Sequence, residues 1–177
     1  MYKRQAKSYS ERLFQFPPLR PLTEDDAKAA LLRPTQREGV NIENEALEHM
    51  VEAAEGYPYF IQEWGNRAWD VASGSTITVD DAKAAELLVE AALDENFYSG
   101  RTGRLTTKEI EYLHAMAQLG PGPHSSGEIA KKLGATTSSV SVRRKDLIEK
   151  GMIYSPAHGE LAFSVPMFDK YLKRILE

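Results

Sequence analysis

The sequence contains no cysteine, which excludes disulfide bonds, thiolate catalysis and zinc sites built on cysteine. It also has no apolar run approaching the roughly 18 residues that a membrane-spanning helix needs. The N-terminal residues, MYKRQAKSYSERLF, lack the apolar core of a signal peptide. We therefore expect a cytoplasmic protein without a membrane partner.

Sequence signatures of catalysis and metal binding are missing as well. There is no GxxxxGK[ST] phosphate loop, no HExxH and no GxSxG. The histidines show no metal-ligand spacing: His49, His114, His124 and His158. We predict that this chain is not an enzyme by itself and has no catalytic residue, metal site or cofactor of its own.

Charge is unevenly distributed along the chain. Residues 1–104 carry 12 Lys and Arg against 18 Asp and Glu, whereas residues 105–177 carry 10 against 8. The net charge is therefore −6 in the first part and +2 in the second, which gives −4 overall. Because a nucleic-acid reader needs a basic part, this asymmetry permits DNA binding by residues 105–177 without requiring it.

Four amphipathic segments before residue 100 predict a small all-helical unit. The first begins at a cap on Thr23, and Pro34 ends or kinks it. The last begins at a cap on Thr78 and extends to about Phe97. The helical period places four of its apolar residues inward: Ala84, Leu87, Leu88 and Ala91. The glycine- and arginine-rich segment 98–104 then marks a boundary to the next unit.

One further helix follows this boundary. The segment after that helix has the pattern of a helix-turn-helix. Ser125 and Glu128 form a capping box that starts a short helix, and Gly134 ends it. Either Thr136 or Thr137 caps a second helix over residues 138–150, which ends at Gly151.

A β-hairpin is predicted directly after the second helix. Residues 152–155 and 161–165 have strand character and flank a turn at 156–160. Pro166 then fits the first turn of a closing helix, where its missing N–H group costs nothing. This order of elements is typical of a winged helix, whose second helix commonly enters a DNA major groove.

The second helix has two distinct faces on a helical wheel. Val140, Leu147 and Ile148 point toward the core, and small polar or cationic side chains lie on the opposite side and its flanks. Such side chains suit entry into a groove, although the same face also fits a merely solvated helix. The candidate DNA contacts are Lys131, Lys132, Ser138, Ser139, Ser141, Val142, Arg143, Lys145 and His158 at the wing tip.

Arg144 occupies the core-facing side between Val140 and Leu147, where an aliphatic residue is expected. We predict a structural role for it rather than a DNA contact. Its stem would pack while its head meets a carboxylate or a helix C-terminus.

Several segments, in this order, resemble the C-terminal part of AAA-type ATPases related to origin-recognition initiators and to the signal-transducing STAND ATPases. They are ERLFQFPPLRPLTEDDAKAAL, GYPYFIQEWGNRAW, RLTTKEIEYLHAMAQLGPGP, SSGEIAKKLG, LIEKGMIYSPAHG and AFSVPMFDKYLKR. The resemblance implies a mostly α fold: a helical lid-like bundle followed by a winged helix-turn-helix domain with a small β-hairpin. It assigns residues 1–22 to a linker left from a missing ATPase core, 23–99 to the lid and 105–177 to the winged helix.

The resemblance also implies a nucleotide site in the full-length parent, which would bind ATP or ADP through the missing core. Gly56, Tyr57 and Pro58 match the GxP motif of the lid, which lies near the adenine, so they would bind the cofactor only together with that core. An alternative is that Gly56 and Pro58 merely end one helix and start the next.

Two functions remain open from the sequence. In the first, the winged helix binds double-stranded DNA under the control of nucleotide bound by the absent core. In the second, it is an interaction or autoinhibitory module that contacts the core or a protein partner. An uncovered, basic surface on helix 138–150 would favour DNA, whereas an apolar surface packed on the lid would favour the second function.

Overall fold

The structure, a computed structural model, describes residues 20–176, so the expected linker 1–22 lies almost wholly outside the described residues. The helices are α1 (Glu24–Arg37), α2 (Asn44–Ala53), α3 (Pro58–Val71), α4 (Val79–Leu93), α5 (Ser99–Thr102), α6 (Thr107–Ala117), α7 (Ser126–Lys132), α8 (Thr137–Glu149) and α9 (Phe168–Leu176). The strands are β1 (Asn41–Ile42), β2 (Thr76–Ile77), β3 (His124–Ser125), β4 (Ile153–Tyr154) and β5 (Glu160–Phe163). The predicted fold class, mostly α with a winged helix, is confirmed.

Helix α1 continues through Pro34 to Arg37, so of the two alternatives predicted at this proline, an end or a kink, the end is wrong. A proline within a helix removes one backbone hydrogen bond. Here the next residue, Thr35, is buried, and its hydroxyl donates to the carbonyls of Leu31 (3.2 Å) and Leu32 (3.1 Å). Burial of Leu31 and Thr35 against the bundle stabilises the last turn despite the proline.

Helix α4 packs with the opposite face from the one predicted. The four residues expected inside, Ala84, Leu87, Leu88 and Ala91, are all exposed, and Leu87 is 76% exposed. The buried residues are Ala82, Ala85, Val89, Ala92 and Leu93. The helix is apolar on two faces, so its period does not select one of them. The small side chains of Ala82 and Ala85 face the core, where they allow the close packing of α4 with α3.

Segment 98–104, predicted as the boundary between the two units, is helical over Ser99–Thr102. Helix α4 continues through a π-helical turn, Asp94–Tyr98, directly into α5. A π turn inserts one extra residue into a helix and shifts the helical phase of the residues after it. The helix that begins at Val79 therefore connects the N-terminal helices to the winged helix.

Side chains of this turn contact the closing helix α9. Arg174 pairs with Asp94 (2.5 Å) and with Glu90 (2.9 Å). The buried hydroxyl of Tyr98 donates to the Pro166 carbonyl (2.8 Å), and its ring stacks on Tyr171 with centroids 4.9 Å apart. Buried apolar residues of both halves belong to one contiguous core.

Two small sheets complete the fold. Strands β1 and β2 form a parallel pair, and the winged helix contains an antiparallel sheet in the order β3-β5-β4. Pairing of Ile153 with Phe163 confirms the predicted hairpin. Strand β3, where His124 pairs with Leu161, adds a third strand to the predicted hairpin.

The winged-helix helices begin at the predicted caps, with one exception. Capping boxes on Ser125 and Thr136 start α7 and α8. Helix α9, however, begins at Phe168, so the prediction that Pro166 lies in its first turn is wrong. Met167 adopts a left-handed conformation with φ 53°, which a continuous right-handed helix does not allow.

Two of the three α8 residues that were predicted to face the core are buried. Val140 and Leu147 are buried, but Ile148 is 37% exposed, so its placement in the core is wrong. Successive helical residues are separated by about 100°, which places Ile148 at the edge of the stripe centred on the other two.

Candidate functional site

Helix α8 packs on α6, α7 and β4, and its outward face is open. Five of the predicted contact residues are exposed there: Ser138, Ser139, Ser141, Val142 and Lys145. Four of them have short side chains, so another molecule can approach the helix backbone closely. The structure therefore brings this part of the predicted site together on one accessible helix.

The serine hydroxyls at the start of α8 are oriented by local hydrogen bonds. Ser139 donates to the carbonyl of Thr136 (2.8 Å), and Ser141 donates to the carbonyl of Ser138 (2.8 Å). A hydroxyl that donates in this way keeps its oxygen lone pairs as acceptors. The second turn of α8 can therefore accept hydrogen bonds through Ser141, while the free backbone N–H groups of the first turn favour anions.

Acidic neighbours offset the cations of α8. The Lys145 ammonium lies 3.8 Å from Glu149, in an exposed pair that contributes little to stability. Arg143 is half-buried and lines a shallow concavity together with Asp146, Glu149 and Lys150. The positive potential of this face is therefore modest.

The remaining predicted contacts lie on other elements. Lys131 and Lys132 are exposed in the last turn of α7, and His158 is exposed in the loop between β4 and β5. Lys131 and Lys132 thus belong to the first helix of the helix-turn-helix and His158 to the wing, and none of the three is part of the surface of α8.

An ion pair between a buried carboxylate and a partly exposed lysine fixes the C-terminal end of α8 to the start of α6, and sequence reasoning missed it. Lys150 lies 2.7 Å from both carboxylate oxygens of Glu109 and 3.3 Å from the Arg104 carbonyl. Glu109 is 4% exposed and also accepts from the backbone N–H (2.7 Å) and hydroxyl (2.9 Å) of Thr106. Burial raises the pKa of Glu109, but the hydrogen bonds from Lys150 and Thr106 outweigh it and hold the pKa below its usual value.

Arg144 does not have the partner predicted for it. Its Nε atom is buried and has no hydrogen-bond partner among residues 20–176, and the hydroxyl of Tyr112 is buried and unpaired as well. Burial raises the pKa of Tyr112, and the charge of Arg144 opposes that shift. Within residues 20–176, Arg144 therefore lies near a tyrosine of α6, and no hydrogen bond joins its Nε atom to the predicted carboxylate or helix C-terminus.

Position 56 requires a glycine for two reasons: its backbone conformation and the closeness of its neighbours. It adopts φ 69° between α2 and α3, in the left-handed region that favours glycine. A Cβ atom there would lie 2.7 Å from the Leu22 carbonyl oxygen. Leu22 also donates its N–H to the Gly56 carbonyl (2.8 Å), so the chain entering the bundle lies directly against the predicted GxP motif. The sequence predicted the turn but not this close approach.

An aromatic surface lies beside the same motif. Tyr59 stacks on Phe97 at 5.2 Å between centroids, and the Arg101 guanidinium lies 4.5 Å from the centre of the Phe97 ring. Tyr57 contacts Phe60 and Phe97. Phe97 belongs to the π-helical turn, whereas the sequence prediction ended a regular helix at about this residue, so it did not foresee this arrangement.

Two further properties concern the described residues as a whole. No group of three His, Asp or Glu side chains within 20–176 has a geometry that would hold a metal ion. Every helix in this range is too short or too polar to cross a membrane.

Residues 95–172, less than half of the chain, match the model of a family described as a domain of unknown function, DUF8462. The match extends from the π-helical turn into α9 and so covers the winged helix together with its connecting helix. No curated protein matches the chain.

Among solved structures, a lysine-to-arginine mutant of RuvB from Thermotoga maritima is 19% identical with a TM-score of 0.43, over 88% of this chain and 50% of that chain. The structure titled RuvB Holliday junction branch migration motor, from the same organism, is 20% identical with a TM-score of 0.41, over the same shares. This chain spans about half the length of those RuvB chains, and values this low assign it no activity or ligand.

Proposed function

We propose that this protein is cytoplasmic and binds double-stranded DNA through helix α8 of its winged helix. The open outward face of α8 is the observation that supports the proposal most strongly. Had this surface packed on α1–α4, an intramolecular role would be favoured instead. Short polar side chains on a helix of this kind allow it to enter a major groove without steric clash.

The proposed division of contacts follows from where the side chains lie. Ser138, Ser141 and Val142 would face the base edges, since they are exposed on the outward side of α8. Lys145 and Arg143 would contact phosphates close to the helix, and the flanking cations of α7 would contact the backbone further along. Because the acids beside α8 weaken its potential, we expect binding in the non-specific range of about 10⁻⁴–10⁻⁶ M.

We further propose that α1–α4 form the lid of an AAA-type ATPase whose core supplies the phosphate-binding residues. The backbone at Gly56, Tyr57 and Pro58 and the adjacent Phe97 surface support this idea, because a planar adenine ring can stack on aromatic side chains. In this arrangement ATP or ADP would bind only with the core present, and nucleotide would control access of the winged helix to DNA. This chain would not hydrolyse ATP by itself.

Fluorescence anisotropy on a labelled duplex, measured across a salt series, tests DNA binding. The double change Arg143→Ala with Lys145→Ala should weaken binding and lower the slope of log affinity against log salt by about one for each phosphate that no longer meets a cation. The matched control is Arg33→Ala with Lys83→Ala, which removes the same charge from exposed positions of α1 and α4. No duplex binding at low salt, or equal weakening by both double variants, would refute the proposal.

An interaction module is the second candidate, and exposed apolar side chains of the winged helix favour it. Val142 is 66% exposed, and Ile148 and Tyr154 are also exposed. A change of Val142 to Ser tests this function, since it would leave phosphate contacts intact. If the protein binds no duplex, loss of a captured protein partner on Val142→Ser would favour the interaction module.

A further inference from the structure

Val142 is an isolated apolar side chain on the otherwise polar outward face of α8. It is 66% exposed, more than any other large apolar side chain in the described part of the winged helix. Its neighbours on the helix surface, three or four residues away, include Ser138, Ser139 and Lys145, and all three are exposed. Two γ-methyl groups are therefore presented to any molecule that lies against this face.

Neither packing nor helix formation accounts for a valine at this position. Within residues 20–176, Val142 belongs neither to the core nor to the partly buried apolar side chains packed against it. It lies inside α8, where a β-branched residue is less favourable than alanine. Val140 of the same helix, by contrast, is buried and so has a structural role. This difference favours a contact between Val142 and another molecule.

The methyl groups of Val142 have a defined direction and are accessible. A valine side chain within a helix strongly prefers one χ1 rotamer, which fixes the direction of its methyl groups. Ser139 and Ser141 are turned toward the helix backbone, because each hydroxyl donates to a carbonyl three residues earlier at 2.8 Å. Neither serine therefore extends over the methyl groups of Val142.

An apolar contact in the DNA major groove has a specific chemical meaning. The base edges there present hydrogen-bond donors and acceptors, and among the four standard bases thymine alone adds an apolar group, its C5-methyl. Apolar side chains contact this methyl group, whereas serine hydroxyls and lysine ammonium groups hydrogen-bond to the polar atoms of the bases. A valine surrounded by polar side chains is therefore suited to distinguish thymine from cytosine.

We propose that Val142 is a specificity-determining residue that packs on the C5-methyl group of a thymine. The inference rests on the proposed binding of double-stranded DNA by α8. Phosphate contacts of Arg143 and Lys145 position the helix in the groove, and Val142 adds a contact that depends on the base sequence. Burial of one methyl group corresponds to about fourfold in affinity, so the preference is modest beside the phosphate contacts.

Replacement of thymine by uracil tests the proposal, because it removes the methyl group and keeps the hydrogen-bonding groups of the base. Fluorescence anisotropy at low salt compares two labelled duplexes of the same sequence, one with thymine and one with uracil throughout. The wild-type chain should bind the thymine duplex about fourfold more tightly. Val142→Ser should bind both duplexes equally, because it lacks the γ-methyl groups.

A second pair of duplexes, built from G·C base pairs with cytosine or 5-methylcytosine, distinguishes the two sources of the same methyl group. Tighter binding of the 5-methylcytosine duplex would extend the proposal to both bases. Equal binding of this second pair, together with the thymine preference, would restrict the proposal to thymine. A response to 5-methylcytosine without one to thymine would overturn it.

The matched control is Ile148→Ser, which removes another exposed apolar side chain of α8, about 120° around the helix from Val142. It should keep the wild-type preference for thymine. Circular dichroism checks that each variant is folded, and Val142→Ala, which also lacks the γ-methyl groups, replaces Val142→Ser if that variant unfolds.

Two kinds of failure are distinguishable. Equal binding of the thymine and uracil duplexes by the wild-type chain would overturn the proposal but leave DNA binding intact. A preference that survives in Val142→Ser, or is lost equally in Ile148→Ser, would do the same. Absence of binding to every duplex would refute the proposed function and this inference together.

Discussion

Changing Lys150 to Ala removes the ammonium group that hydrogen-bonds both carboxylate oxygens of Glu109, 2.7 Å from each. The carboxylate stays at the start of α6 with Thr106 as its remaining partner. Its side chain is 5% exposed, so water does not replace the missing cation fully. The variant therefore keeps a buried charge without most of its compensation.

Removing one partner of a fully buried pair costs about 3–5 kcal/mol. The side chain of Lys150 is 37% exposed, however, so part of its charge is already solvated in the wild type. We therefore expect a loss nearer that of a hydrogen bond to a charged group, about 1.5–3 kcal/mol of unfolding free energy. For a protein of this size, this corresponds to about 2–4 °C in melting temperature per kcal/mol.

The loss should depend on pH in a defined direction. The pKa of Glu109 in the folded wild type lies below its ordinary value of 4.5. A depressed carboxyl pKa contributes stability that is present above the unfolded value and is lost as the pH falls through the folded value. The difference between wild type and Lys150→Ala should therefore be full near neutral pH and should narrow below about pH 4.5.

Urea unfolding followed by circular dichroism at several pH values measures both effects. Lys108→Ala is the matched control, since Lys108 forms an exposed pair with Glu111 at 3.2 Å in the same helix. Lys108→Ala should lose only about 0.2–1 kcal/mol of unfolding free energy. The role given to this ion pair would be refuted if Lys150→Ala lost no more unfolding free energy than the control. It would also be refuted if Lys150→Ala lost as much unfolding free energy in acid as at neutral pH.

Three further predictions concern packing, the GxP turn and nucleotide. Leu147→Ala should cost about 2–5 kcal/mol of unfolding free energy because Leu147 is fully buried. Ile148→Ala should cost clearly less, since Ile148 is exposed. Equal losses of unfolding free energy would contradict the observed helical phase of α8. Gly56→Ala should lower the melting temperature more than Gly39→Ala does. Both glycines have positive φ, but only at Gly56 would the added Cβ atom meet Leu22. The reverse order would exclude this close approach as a cause of destabilisation. Calorimetric titration with ATP or ADP should show no binding to this chain, and micromolar affinity would show that the nucleotide site is misplaced.

The elements with strong local signals could be predicted from the sequence. The caps on Thr23, Thr78, Ser125 and Thr136 all form, because a Ser or Thr hydroxyl at the start of an apolar-periodic segment is a local signal. The hairpin and the exposed serines of α8 are set by similarly short-range patterns.

Features that depend on distant partners could not be predicted. The Leu87 face of α4 is exposed because α3 selects the opposite face, and no pattern within α4 contains that choice. The pairing of Glu109 with Lys150 joins residues 41 apart in sequence, and the aromatic surface around Phe97 depends on a π turn that has no local sequence signature.

The helix that begins at Val79 makes the relative orientation of the two halves sensitive to chain length. Each residue added to or removed from a continuous helix turns everything beyond it by about 100° and shifts it by about 1.5 Å. The wider π turn Asp94–Tyr98 holds one residue more than a regular turn, so deleting one residue there would restore regular helical geometry and keep α5 and the winged helix near their present positions. A deletion in the regular part, Val79–Leu93, would instead rotate everything beyond it. Such a change would turn the outward face of α8 in another direction relative to α1–α3.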